Sequence, residues 1–114
     1  DIAHGAGLAA IWGSWARYVL KQNPCRFAQL AVNVLNVPYS FGNDEKTALE
    51  GIAAMEDFFR SIGMPTSISD MEIELTDTQI KELAHKCSFM GRRTIGGFVI
   101  LNAADMENIY RMAR

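Results

Sequence analysis

The 114-residue chain is 49% hydrophobic and 21% charged, with a formal net charge of −2. A chain of this length makes one domain and buries about two thirds of the surface its unfolded form exposes. The charge balance excludes the broad basic face of a nucleic-acid binder, and no apolar run reaches the length of a membrane span or forms a signal peptide. These absences make the cytoplasm the expected location. Cys25 and Cys87 lie far apart, outside any CxxC spacing, and read as small buried hydrophobes rather than as a disulfide or a metal pair.

Helical punctuation dominates the chain. The first helix is predicted from about Gly5 to Gln22. Its Leu8, Ile11, Trp12, Trp15, Tyr18, Val19 and Leu20 cover most of the circumference, a pattern suited to an interior. Asn23-Pro24 supplies a cap and a proline at the first helical position, opening a second helix through Phe27, Leu30, Ala31, Val34 and Leu35 that Val37-Pro38 ends. Asn43-Asp44-Glu45 starts a third, with carboxylates where the helix dipole favours them. Leu49, Ile52, Phe59 and Ile62 form its apolar stripe, widened by Met55 and Phe58, and Gly63 and Pro65 stop it. Thr66 to Glu74 reads as a polar connector.

The fourth helix carries a capping box, Thr76 with Gln79, and a hydrophobic staple, Leu75 with Ile80. Its predicted core stripe is Ile80, Leu83, Ala84 and Cys87. The last helix repeats the device with Asn102 and Asp105, staples Leu101 to Met106, and turns Met106, Ile109, Tyr110 and Ala113 inward. Between them, Gly91 to Phe98 is glycine-punctuated loop. Phe98 to Leu101 is the sole candidate strand. The expected fold class is all-α, an irregular bundle of about five helices.

Few side chains offer chemistry. His4, flanked by small residues at a helix entrance, reads either as a solvated terminal histidine or as a ligand that a metal can reach. His85 falls on the polar side of the fourth helix and reads as solvent-facing. Arg92 and Arg93 read as a solvated loop or as an anion-binding pair. Trp15 reads as core, while Trp12, two turns in from His4, suits either core or an apolar substrate pocket. The carboxylates of Glu56 and Asp57, and of Asp70 and Glu72, read as a solvated face.

Four blocks carry a family likeness. They are Asp1-Ile2-Ala3-His4-Gly5 with the Trp-rich helix after it; Gly51 to Pro65, ending Phe58-Phe59-Arg60-Ser61-Ile62-Gly63-Met64-Pro65; Leu75-Thr76-Asp77; and Gly91 to Gly96 through the closing Ile109-Tyr110-Arg111-Met112-Ala113-Arg114. Together they resemble the C-terminal helical domain of the iron-containing (group III) alcohol dehydrogenases, on the NAD(P)H-dependent butanol dehydrogenase branch. The resemblance implies that residues 1–114 are the helical part of a two-domain enzyme interconverting primary alcohols and aldehydes. Its N-terminal nucleotide-binding domain would lie upstream.

It further implies a cleft metal, Fe2+ or Zn2+, held by one aspartate and three histidines, with His4 as the last of them and the other three ligands outside this chain. By the same likeness NAD(P)H is the cofactor of the parent enzyme, and the isolated segment binds neither group and is inactive. The rival reading is a free-standing helical interaction module whose apolar first helix docks a partner. A third reading is self-association into a homo-oligomer through surface that the missing helices would cover.

Overall fold

A computed structural model describes residues 4–114; Asp1, Ile2 and Ala3 of the opening block lie outside the described residues. Five α-helices follow in order: α1 His4–Val19, α2 Pro24–Asn33, α3 Asp44–Ser61, α4 Asp77–Cys87 and α5 Ala103–Ala113. A 3-10 turn at Leu20–Gln22 extends α1 to the predicted end, and a second lies at Ser69–Met71. The all-α expectation holds. The candidate strand is reduced to a single antiparallel bridge between Ile95 and Leu101, joined by two backbone hydrogen bonds of 3.0 and 2.7 Å.

Both capping boxes form as the sequence predicts. The Thr76 side chain accepts from the Gln79 backbone N–H, and the Gln79 side chain accepts from the Thr76 N–H. Asn102 and Asp105 make the same reciprocal pair at α5. At α2 the predicted cap takes its position without its bond: Pro24 is the first helical residue, but Asn23 makes no side-chain cap contact. The helix also stops earlier than predicted, at Asn33, because Asn36 turns left-handed (φ 57°) and returns the chain, with Val37 N–H donating to the Ala31 carbonyl.

Small residues decide how the helices meet. Helices α2 and α3 make the most extensive contact, followed by α4 with α5 and α1 with α5. On α3 the buried side chains are Thr47, Ala48, Ile52 and Glu56, with Gly51 among them. The predicted stripe is therefore corrected: Ile52 is buried, whereas Leu49, Phe58 and Ile62 are exposed. The face that lets a neighbouring backbone approach displaced the face with the larger apolar area. Leu83, predicted as core on α4, is likewise at the surface, while Ile80 and Ala84 are buried.

The same selection operates on α1, which buries Ala9, Ala10, Gly13, Ser14, Ala16 and Val19. Leu8 is 59% exposed and Ile11, Trp12, Trp15 and Tyr18 are half-buried, so α1 is not the all-round interior helix its composition predicts. The core collects Val19, Leu20, Phe27, Ile52, Leu101 and Ile109. Against it Trp15, Phe27 and Phe98 form an aromatic cluster with ring centroids 5.4–6.1 Å apart, tying α1, α2 and the loop before α5 together.

The assembly is a slab of 42 × 30 × 20 Å with a radius of gyration of 14.8 Å, against about 13 Å expected for a compact domain of this length. Its accessible surface of 7134 Å² likewise exceeds the roughly 6,200 Å² expected for a monomer of this mass.

Candidate functional site

His4 opens α1 with its side chain exposed. Its neighbour Gly5 begins an apolar groove of about 240 Å³ lined also by Leu8, Ala9, Trp12, Phe59, Ile62 and Met64. The spacing explains the alignment, because His4, Leu8 and Trp12 recur every four residues and share one side of α1. Trp12 meets Phe59 of α3 edge-on, at 6.0 Å between ring centroids, and so forms the far wall. Gly5 faces the Met64 methyl with room for ordinary van der Waals contact, 3.6 Å from where a Cβ would lie.

The two helices that line the groove also share an ion pair that the sequence did not reveal. Arg17 Nη2 donates to Glu56 Oε1 at 2.5 Å, joining α1 to α3 across 39 residues of sequence. Glu56 is 7% exposed, which corrects its assignment to a solvated face. The pair holds the Arg17 guanidinium's pKa above its ordinary value, chiefly through this hydrogen bond. Gly13 makes room for it, since any side chain at that position would meet the Glu56 carboxylate. Asp57 does face solvent, where it pairs with Arg60.

The other candidates separate into distinct places. Asp70 caps its own connector, accepting from the Thr66 N–H and hydroxyl, and these bonds, the backbone one foremost, hold its pKa below the usual carboxylate range. Glu72 sits beside it in a left-handed turn (φ 60°). His85 is exposed on α4, as expected. Both cysteines depart from the prediction: Cys25 is exposed, lining an open pocket with Tyr39 and Asp44, and Cys87 is half-buried. Cys87 lines a small apolar cavity of about 100 Å³ with Trp15, Met106 and Tyr110. Burial, and then the Cys87 thiol, push the Tyr110 phenol up to about 12.

The glycine-punctuated segment is a loop, and Gly91 and Gly96 stand at left-handed positions in it. Gly96 has φ +106° and packs onto the Val99 carbonyl with no space for a Cβ. Its arginines, Arg92 and Arg93, are exposed in the segment that follows α4. Among the described residues no three His, Cys, Asp or Glu side chains converge to hold a metal. His4 therefore offers one imidazole donor, accessible on a helix end, and fits a metal site only as one ligand among several.

The described residues thus form an all-helical unit in which an exposed imidazole, His4, adjoins in sequence the first residue of an apolar groove. Residues 1–114 match the description "Fe-containing alcohol dehydrogenase family, C-terminal" over their whole length, and the chain belongs to that family. It is 39% identical over 111 residues to the probable NADH-dependent butanol dehydrogenase 1 of Bacillus subtilis, covering 97% of this chain and 28% of that protein. It is 28% identical over 112 residues to NADH-dependent butanol dehydrogenase A of Clostridium acetobutylicum, with the same coverage. The crystal structure of NADH-dependent butanol dehydrogenase A from Thermotoga maritima superposes with a TM-score of 0.85 at 27% identity, covering 99% of this chain and 29% of that one. The chain thus spans little more than a quarter of the length of the relatives it matches.

Proposed function

We propose that this chain is the C-terminal helical part of an NAD(P)H-dependent alcohol dehydrogenase that interconverts a primary alcohol such as butanol with its aldehyde, in the cytoplasm. The observation that carries the reading is the juxtaposition of an exposed His4 with the apolar groove that starts at Gly5. It is supported by butanol dehydrogenase relatives that align with nearly the whole chain.

In this reading His4 contributes one imidazole to a site for Fe2+ or Zn2+, and the remaining ligands come from a nucleotide-binding domain upstream. A bound divalent cation supplies Lewis-acid polarisation of the substrate oxygen, and the nicotinamide carries the hydride. The chain's own residues do the positioning. Starting a helix at His4 fixes the imidazole to a rigid element, and the indole of Trp12, braced by Phe59, offers an apolar wall two turns away for an alkyl chain. The surplus surface of the slab and the exposed side chains of Leu8, Phe58 and Ile62 suit a face covered by further protein, either the upstream domain or a second copy.

The test compares the 114-residue chain with a longer polypeptide carrying the upstream domain. The short chain is expected to give no NADH oxidation with butanal and no stoichiometric metal by elemental analysis. In the longer protein, His4→Ala is expected to lower metal content and turnover together, while His85→Ala leaves both unchanged. Full metal content in the His4→Ala protein overturns the ligand assignment. Turnover by the short chain overturns the two-domain reading.

A further inference from the structure

We infer that the turn after α4 forms a binding site for a phosphate-bearing anion, sharing no residue with the groove beside His4. An open pocket of about 430 Å³ is lined there by Lys86, Phe89, Met90, Arg92 and Arg93, three cations and no carboxylate. Arg92 makes no ion pair or side-chain hydrogen bond among the described residues. The Arg93 guanidinium lies 3.6 Å above the Phe89 ring, and its Nε donates to the Cys87 carbonyl at 3.1 Å. Those two contacts fix the plane of the fork while leaving its outer N–H edge toward solvent, the geometry in which arginine receives two oxygens of a phosphate. Lys86 is partly engaged, with its ammonium 3.0 Å from Glu82.

The turn that carries these groups is built rather than loose. Phe89, Met90 and Gly91 are three successive left-handed residues (φ 49°, 59° and 80°), a run that L-residues with side chains avoid. It persists because Ser88, fully buried, organises it. The Ser88 hydroxyl donates to the His85 carbonyl and accepts from Gly91 N–H, and its carbonyl accepts from Arg93 N–H. The result holds Phe89 and Met90 out in solvent, beside the cations, where neither contributes to the core. A strained backbone locked by a buried side chain, presenting an arginine already stacked on its platform, is ordered in advance for a ligand.

Pyrophosphate at low ionic strength is the probe, followed on the full 114-residue chain by 1H–15N correlation of backbone amides and arginine Nε–H groups. Saturable shifts confined to residues 86–94 are expected. Arg92→Gln and Arg93→Gln should each weaken binding about tenfold, Phe89→Ala should weaken it by freeing Arg93, and Lys86→Gln should weaken it least because Glu82 already competes for that charge. All four changes are at exposed positions, and unaltered dispersion of the remaining amides verifies the fold. Shifts that never saturate, that spread over every surface cation, or that survive Arg92→Gln and Arg93→Gln overturn the site. Sedimentation with anionic against zwitterionic lipid vesicles distinguishes the source: retention on anionic vesicles lost in Arg92→Gln assigns a lipid phosphate, and its absence beside a saturable pyrophosphate response assigns a soluble one.

Discussion

Gly51→Ala should destabilise the fold although alanine is the better helix former. The opposing contact is Ala31 of α2: a Cβ at position 51 would overlap the Ala31 Cβ and lie 3.0 Å from its Cα. Main chain cannot rotate aside as a side-chain tip can, so relief requires α2 and α3 to move apart along their whole seam, the most extensive helix contact in the molecule. Overpacking of this kind costs about 1–3 kcal/mol, and a backbone obstacle places it in the upper half of that range. The propensity gain of alanine over glycine in a helix returns about 1 kcal/mol. The net expectation is a loss of about 1–2 kcal/mol, or a fall in melting temperature of roughly 5–12 °C for a domain this size.

Urea and thermal unfolding followed by far-ultraviolet circular dichroism measure it. Ala31→Gly should destabilise on its own but cost less in the Gly51→Ala background, giving a coupling of about 1 kcal/mol. A neutral or stabilised Gly51→Ala chain, or strictly additive behaviour, refutes the close-approach account.

Two further outcomes follow from named contacts. Glu56→Gln removes the partner of Arg17 from a buried position and should cost about 1–2 kcal/mol in denaturant unfolding, less than the ~3–5 kcal/mol of a fully buried pair because the Arg17 side chain is 36% exposed; unchanged stability would show that water replaces the bond. Tyr110 has its pKa pushed up to about 12 by burial and then by Cys87, so the folded state holds the phenol proton more tightly than the unfolded chain does. The stability this contributes is complete below pH ~10, the unfolded value, and is lost as pH rises from there toward 12. Stability measured across that window should fall less steeply in Tyr110→Phe than in the parent chain, and identical slopes would contradict the assignment.

What was legible in the sequence was what is local. The capping boxes of α4 and α5 each lie within four residues, and their chemistry is complete without knowing the neighbours. The stop at Gly63 is similarly local, since a left-handed residue closes a helix wherever it stands. The choice of buried face was not legible on α1 and α3. A glycine opposite an alanine 20 positions away has value only once both helices are placed, so the apolar stripe of Leu49, Phe58 and Ile62 outweighed the small face that packs. Glu56 was misread for the same reason, because its partner Arg17 lies in another helix. Gly13, four residues before Arg17, was the one local sign that something must fit against α1. For the candidate site, pattern alone left His4 open between solvent and ligand; the likeness to a family pointed to the ligand.

The Trp12 and Trp15 indoles stand three residues apart on one helix yet belong to different surroundings, one edge-on to Phe59 in the open groove and the other inside the Phe27–Phe98 cluster. The intrinsic fluorescence of the chain is therefore two signals in one spectrum. The two indoles report on different neighbours, Phe59 in one case and Phe27 with Phe98 in the other. Anything that fills the groove, whether substrate or an adjoining domain, would touch Trp12, whereas a change in how α1, α2 and the loop before α5 meet would be felt at Trp15.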